Sequence, residues 1–483
     1  MAAAKKKTFF EAQARERKLI VLPDQGAAVK ISTQLFDLQS RDRSWNPFIE
    51  SFVRANGDYL DSLAIELSFS TSADAIEIGL KANGVVGAVP LKSPDTHKTV
   101  GGIIVRPRYG WDTAGFLFSA IGWAGTPELL KFPIVPGSAK EVPPWIIAGP
   151  IVRQMEQLMR LSAPKFRDTE EELSSPRGTI DWQQYCTKQL VNARPHFLPC
   201  KYSDLKMDEQ LRRYVRWTLE KVDHSLAPFV YDAPSAKLLR GRVQSLLAQL
   251  FDVKSEVPSY RNLDRLDRLL KRQLQTGEGD LGFEAIKWVL DERGLAGSTD
   301  LDGLAWRIKM HELFEMWIEV LVRQWAKTFG GRVTCSRKFD SQSFIRWERT
   351  GSDSLGSLIP DVVVETDDDT FIFDAKYKGF LEPSEDLSFN AAIERYKDDH
   401  RHDLHQVLAY ASMYQTERIT VALVYPVKFE TWAQMTISEQ DVLTGSLEGP
   451  GRNIKLCILA VPIESGERGI APTRSWQCLL DKN

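Results

Sequence analysis

The sequence predicts an α/β protein in three parts: a β-rich N-terminal region over 1–163, a linker and helical region over 164–300, and a C-terminal α/β domain over 301–483. Three observations predict it. Apolar residues alternate with period two near the N-terminus, leucines recur at helical spacing through the middle third, and from residue 301 onward helix-like and strand-like runs alternate.

In the N-terminal region Ile76, Ile78 and Leu80 alternate with other residues, Asn83-Gly84 follows, and apolar character resumes over 85–89. Asn-Gly between such runs predicts a hairpin, because both residues tolerate positive φ. Pro133, Pro136, Pro143 and Pro144 precede a predicted helix over 151–161. The polar stretch 164–179, with Glu170-Glu171-Glu172 and Ser174-Ser175-Pro176, predicts a boundary or exposed loop.

In the middle third Leu205, Leu211, Val215 and Leu219 predict one helix; Leu238, Leu239, Leu246, Leu247 and Leu250 a second; Leu263, Leu266, Leu270 and Leu274 a third. On the third, Arg261, Arg265, Arg268 and Arg272 share a face. A groove for a DNA backbone is one reading. Asp264 and Asp267, at helical spacing from Arg268 and Lys271, favour the other, a salt-bridged solvated face. A helix is predicted over 306–329, stopped by Gly330-Gly331. Strands are predicted over 333–339, 359–365 and 371–376, then a helix over 391–414, a strand over 419–425 closed by Pro426, and a last strand over 454–461. No internal repeat or low-complexity tract is visible.

Length and composition bound the function. A chain of 483 residues should form two or three domains, and 43% hydrophobic with 26% charged residues suits a soluble globular protein. A net charge of −3 excludes a coat of positive charge, so any DNA contact must come from local basic patches. Cys186, Cys200, Cys335, Cys457 and Cys478 are widely spaced and lack metal-site spacing, which predicts free thiols in a reducing cytosol. Met1-Ala2-Ala3-Ala4-Lys5-Lys6-Lys7 has no apolar stretch behind it and is not a secretory signal. The apolar run Phe116-Leu117-Phe118-Ser119-Ala120-Ile121 is cut short by Gly122, so no segment is expected to span a bilayer. The expectation is a soluble cytoplasmic protein.

The chemistry concentrates in Ile359-Pro360-Asp361-Val362-Val363-Val364-Glu365, a polar turn over 366–370, and Phe371-Ile372-Phe373-Asp374-Ala375-Lys376-Tyr377-Lys378. Alternate strand residues share a face, so Asp374 and Lys376 point the same way, and hairpin pairing brings Asp361 beside Asp374. Two carboxylates make a hard, oxygen-rich pocket suited to Mg²⁺ or Mn²⁺ rather than zinc, and the Ala375 carbonyl is a further available ligand. Downstream, Gln406 and Tyr410 lie one helical turn apart on one face. His400, His402 and His405 crowd a helix start, but no cysteine or distant histidine completes a tetrahedral set. They read as helix surface, with His402 nearest the site. A lone Asp-x-Lys is common and says little; the ordered combination carries the argument.

This hairpin resembles the metal-binding hairpin of the PD-(D/E)XK nuclease superfamily. The resemblance implies a restriction-endonuclease-like domain, with a mixed central sheet flanked by helices, that hydrolyses nucleic-acid phosphodiesters with Mg²⁺ (Mn²⁺ possible). It implies that Asp361, Asp374 and the Ala375 carbonyl bind the metal, and that Lys376 orients water or stabilises the growing phosphorane charge. The superfamily often places an acid on its first core helix, which implies Glu315 as a direct or outer metal ligand, with Glu312, one turn away, as the alternative. Gln406 and Tyr410 resemble the Q-x-x-x-Y element of a subset of these nucleases, associated with substrate contact and site ordering.

Within the superfamily, Asp374 to Lys378 followed by Asp403-Leu404-His405-Gln406 to Tyr410 resembles McrC, the nuclease subunit of modified-cytosine restriction systems. Leu313-Phe314-Glu315 matches as well. Arg177-Gly178-Thr179-Ile180-Asp181-Trp182 resembles that family's Gly-x-Ile-Asp element. Cys200-Lys201-Tyr202-Ser203-Asp204-Leu205, with Asp208, falls at its polar turn opening a helix, where Arg212 replaces an expected asparagine. Val85-Val86-Gly87 and Ile104-Val105-Arg106-Pro107-Arg108 faintly resemble its β-rich N-terminal domain, which engages the AAA+ GTPase McrB. The implied function is a metal-dependent DNA endonuclease in a hetero-oligomeric antiphage restriction complex. No G-x-x-x-x-G-K-[ST] is present, so a McrB-like GTPase or ATPase motor would be a separate chain. The rivals are an autonomous defence nuclease and a non-cleaving adaptor that stimulates a partner NTPase; a structural DNA-binding protein has little support from the charge balance.

Overall fold

The computed structural model describes residues 18–32, 36, 45–72, 75–123, 127–130, 132–133, 135–136, 142–161, 165–206, 209–231, 233–274, 280–291, 303–335, 343–344, 357–381, 389–449, 452–464 and 472–480. The basic N-terminus, Asp208 and residues 336–339 of the predicted strand lie outside them. The chain divides into two compact units, one of residues 1–146, 231–238 and 299–483, the other of 147–230 and 239–298.

The first unit opens with strands β1 (Lys18–Pro23) and β2 (Val29–Ser32), helix α1 (Trp45–Ser62), strands β3 (Ile65–Ser72), β4 (Ala75–Ala82), β5 (Val85–Lys92) and β6 (Thr99–Arg106), helix α2 (Trp111–Ala120) and the short β7 (Glu128–Leu129). β2, β4 and β3 form one antiparallel sheet. β1 and β5 flank β6 in another, β1 parallel and β5 antiparallel. The predicted hairpin across Asn83-Gly84 is not made, because β4 and β5 belong to different sheets. A type I′ turn needs positive φ at both residues, and only Gly84 has it, at 77°. β5 is buried along nearly its whole length, which suits a strand with neighbours on both edges. Phe48, Phe52 and Leu60 of α1 join Ile78, Leu80 and Val89 in the core. Asn56 ties α1 to the strand by donating to Lys92 O at 3.0 Å and accepting from Lys92 N at 2.8 Å.

The second unit takes most of α3 (Pro144–Leu161), the strands β8 (Lys165–Leu173), β9 (Thr179–Ile180) and β10 (Leu198–Lys206), and the helices α4 (Glu209–Leu226), α5 (Pro234–Ala248, in its larger part), α6 (Tyr260–Leu274) and α7 (Asp280–Leu290). The stretch read as loop is strand β8, and the polar turn expected before α4 is strand β10; they pair antiparallel over nine residues. Polar side chains hid both, since a small sheet with a solvated face needs few apolar residues. Gly178 lies at φ 67°, where a Cβ would come within 2.4 Å of Lys201 O, and Asp181 Oδ1 caps the next helical turn by accepting from Gln184 N at 2.9 Å. These two contacts account for the Gly-x-Ile-Asp spacing. Arg216 donates to the carbonyls beyond α5 at Leu250, Phe251 and Val253. On α6, Asp264 pairs with Lys287 of α7 at 3.0 Å and Arg265 donates to Gln210.

The chain then supplies β11 (Trp306–Lys309), α8 (Met310–Ala326), β12 (Arg332–Cys335), the paired short strands β13 (Ser343–Phe344) and β14 (Ser357–Leu358), β15 (Val362–Glu365), β16 (Asp369–Ala375), α9 (Phe389–Ala411), β17 (Arg418–Val427), α10 (Phe429–Ile437), β18 (Val442–Gly449) and β19 (Arg452–Pro462). The predicted helix over 306–329 begins four residues late, because Trp306 to Lys309 form β11 between β5 and β7, giving the order β1-β6-β5-β11-β7. The last six long strands make a mixed sheet ordered β12-β15-β16-β17-β19-β18, antiparallel at both ends and parallel from β16 through β19. α9 is the crossover between parallel β16 and β17. Val407, Tyr410 and Ala411 of α9 cover one face of the sheet with Val363, Ile372 and Val421. On β16 the alternate residues Phe371 and Phe373 meet Trp325 of α8, and Phe373 stacks on the fully buried Trp476 at 5.6 Å.

None of the five cysteines forms a disulfide. Among the described residues no helix is long and apolar enough to cross a membrane.

Candidate active site

The β15–β16 hairpin sets the site. Val362, Val363 and Val364 are all buried, so both faces of the strand are covered. Its acidic turn is tied by Thr366 N donating to Asp369 O at 2.9 Å and by Arg418 reaching both Asp369 oxygens at 2.5 and 2.9 Å. Val362 stands opposite Phe373, which carries Asp361 to the mouth of the hairpin beside Asp374 and Ala375. There Ala375 N–H donates to Asp361 Oδ2 at 2.8 Å.

Asp374 is buried at 2% exposure, on the α9 face it shares with Ile372. Its Oδ2 lies 2.7 Å from Lys376 Nζ without a hydrogen bond's angle, and no other group bonds that oxygen. Lys376 donates instead to Gln406 Oε1 at 2.8 Å, and Gln406 Nε2 donates to Tyr410 Oη at 2.6 Å. Lysine has only donors, so this relay fixes which way the amide faces. Burial pushes the Tyr410 hydroxyl up to about 12, so it stays a neutral phenol.

Burial first, then the nearby Asp374 and Glu315 carboxylates, pushes Asp361 well above the ordinary carboxylate range. Burial raises Asp374 too, against the pull of Lys376. Glu315, half-buried on α8, therefore acts electrostatically on this group, whereas Glu312 is exposed and pairs with Lys309 at 2.7 Å. The structure thus gathers Glu315, Asp361, Asp374, Ala375, Lys376, Gln406 and Tyr410 in one place. Among the described residues no three His, Cys, Asp or Glu side chains close up into a cage for a metal ion. What the hairpin offers is an oxygen-only set: Asp361, with one oxygen committed to a backbone amide, and Asp374, with a buried oxygen whose one neighbouring donor is the Lys376 ammonium.

Two neighbours were given no role from the sequence. Asp403, one turn before Gln406, accepts from Lys378 Nζ at 2.9 and 2.8 Å and from Tyr425 Oη at 3.3 Å, with Lys376 Nζ 3.9 Å away. The signal was present: Asp403, Gln406 and Tyr410 follow i, i+3, i+7 spacing on one helix face. His402 and His405 are exposed, but His400 is a half-buried exception to the surface reading, stacked on Phe380 at 4.7 Å and within 3.2 Å of Tyr425 Oη.

The model of the family described as "McrBC 5-methylcytosine restriction system component" matches residues 145–426, a span that includes every one of these site residues. No curated protein matches the chain. Among solved structures, a chain in the half-complex from the tetradecameric assembly of Thermococcus gammatolerans McrB AAA+ hexamers with bound McrC is 12% identical, over 96% of this chain and 99% of that one, with a TM-score of 0.43. A chain of the Thermococcus gammatolerans McrBC complex is 11% identical, over 64% of this chain and 88% of that one, with a TM-score of 0.25.

Proposed function

The chain belongs to the McrBC 5-methylcytosine restriction system component family, and from that premise we propose that it is a Mg²⁺-dependent DNA endonuclease of the PD-(D/E)XK type. In this reading it is the McrC-like cleavage subunit of a cytoplasmic antiphage complex driven by a separate McrB-like AAA+ GTPase or ATPase. The observation that carries the reading is the buried Asp374 held beside Asp361, its Oδ2 paired at 2.7 Å with Lys376 and with no other group. A scaffold has no use for a buried carboxylate that raises its neighbour's proton affinity.

The donor set fits the cation: magnesium takes one or two carboxylates and keeps several waters, so it needs no closed protein cage. Asp361, Asp374 and the Ala375 carbonyl would hold it, with Glu315 as a further ligand or outer acid, and when bound it supplies Lewis acidity toward the scissile phosphate and water. Lys376 keeps its ammonium at the site through Gln406 and stabilises the negative charge that builds on the phosphoryl oxygens. Tyr410, as a neutral phenol, fixes Gln406 and hence the lysine.

The test is cleavage of plain and cytosine-methylated plasmid with Mg²⁺ or Mn²⁺, alone and with a genomically adjacent AAA+ protein plus GTP or ATP, with Asp374→Ala as control. Cleavage only with partner and nucleotide, lost in Asp374→Ala, supports the reading. Cleavage by the lone chain would make it an autonomous nuclease. A stimulated partner NTPase with no cleavage would make it an adaptor, and wild-type cleavage by Asp374→Ala would sink the site.

A further inference from the structure

Between the two lysines that leave β16 sits Tyr377, buried at 3% exposure. Lys378 N donates to Lys376 O at 2.7 Å, so the chain turns tightly at Tyr377 as it leaves the strand. Each residue of this strap has its own anchor. Lys376 N donates to Val424 O at 2.8 Å, Lys378 Nζ is held by Asp403, and Tyr377 is held by Arg108 and Tyr109, just past the end of β6. The Arg108 guanidinium lies over the Tyr377 ring at 4.8 Å and over the Tyr109 ring at 4.7 Å, and its Nη2 donates to Tyr377 O at 3.4 Å. Arg108 is itself fixed: its backbone N donates to the fully buried Asp24 Oδ1 at 2.7 Å. Phe314, next to Glu315 on α8, closes the pocket at 6.0 Å from the Tyr377 ring, and a side chain at Gly379 would meet Arg108 Nη1 at 2.8 Å.

Arg108 is half-buried, and its Nε is buried without a hydrogen-bond partner, which is costly unless the remaining contacts of the guanidinium are good. Its retained interactions are nearly all with the strap or with what positions the strap. We propose that Arg108, seated by Asp24, is a positioning residue for Lys376, so that the N-terminal β region is a structural part of the cleavage site. The inference rests on the nuclease reading above. Arg108 touches neither the carboxylates nor the relay; it acts through the Tyr377 ring and carbonyl, and a shift of the strap by an ångström or two would break the 2.8 Å bond from Lys376 to Gln406.

The experiment compares Arg108→Lys, Tyr377→Leu, Tyr377→Phe and Asp374→Ala in the full chain with its AAA+ partner, measuring cleavage kcat, KM for DNA and stimulation of the partner's NTPase. Lysine keeps the charge but loses the planar fork that stacks and donates together. The expected result is a kcat about 10- to 100-fold lower for Arg108→Lys and Tyr377→Leu, with KM within about 2-fold and NTPase stimulation retained. Tyr377→Phe, which keeps the ring, should recover at least half the wild-type turnover. Wild-type kcat in Tyr377→Leu, or a KM change with kcat preserved, would overturn the proposal. So would joint loss of cleavage and NTPase stimulation in both Arg108→Lys and Tyr377→Leu, which would mark a purely structural role. Active Asp374→Ala would instead overturn the nuclease reading.

Discussion

Asp361→Asn should stabilise the metal-free protein while destroying its activity. The asparagine oxygen can keep the 2.8 Å bond from Ala375 N–H, so the substitution removes charge and little else. That charge faces Asp374 and Glu315, with Lys376 offsetting part of the repulsion. At a separation of about 5 Å and an effective dielectric of about 20, one like-charge pair costs roughly 3 kcal/mol. After the lysine's attraction and relaxation of side chains, a gain on the order of 1–3 kcal/mol remains, or about 2–6 °C in Tm for a unit of this size. The sign follows from linkage. The folded state raises the Asp361 pKa, so wild type loses stability as pH climbs from the unfolded carboxylate value of about 3.9 through the raised folded value. The variant's advantage should therefore grow as pH rises through that folded value, so that it is larger at pH 8 than at about pH 4, below which it vanishes. Thermal melts in EDTA at both pH values measure it, and adding Mg²⁺ should raise the wild-type Tm while leaving the variant nearly unmoved. A lower Tm for Asp361→Asn at pH 8 in EDTA would refute the argument, since it would make the carboxylates a stabilising group.

Three further outcomes are expected. Gln406→Leu, which removes the acceptor for Lys376 and the donor to Tyr410, should lower cleavage kcat about 10- to 100-fold while unfolding within about 1 kcal/mol of wild type in urea. Gly178→Ala forces a Cβ to within 2.4 Å of Lys201 O at φ 67°, and should cost the second unit about 2–4 kcal/mol by denaturant titration. Trp476→Ala, which empties a fully buried position stacked on Phe373, should cost about 3–5 kcal/mol, read as the shift in thermal midpoint.

What the sequence made legible was local. Asp361, Asp374 and Lys376 were placed by strand alternation and one short turn, and Gln406 with Tyr410 by a single helical turn, so spacing alone brings each set together. What escaped depends on partners far along the chain. Trp306 to Lys309 run straight into the helix-forming stretch that follows, and their pairing partner on β5 lies over 200 residues earlier. β8 and β10 are polar and stabilise each other by pairing, which neither run announces alone. Asn83-Gly84 shows the converse: local turn chemistry was correct for a bend, but the burial of β5 assigned its strand to another sheet. The hold of Arg108 on Tyr377 spans 269 positions and no period could reveal it.

The insertion of β11 between β5 and β7 also governs how this protein must be made. While the ribosome is still translating the middle helices, β5 has β6 on one side and a row of open amides and carbonyls on the other, within a strand whose Val86, Ala88 and Val89 are all fully buried in the finished molecule. The nascent chain must shield that sticky edge until residue 309 has emerged. Such sequence-distant closure implies slow maturation and a need for chaperone protection. Any expression strategy that separates the first third from the last should yield insoluble fragments, and co-expression of the two pieces should recover them only to the extent that the late strand reaches its slot.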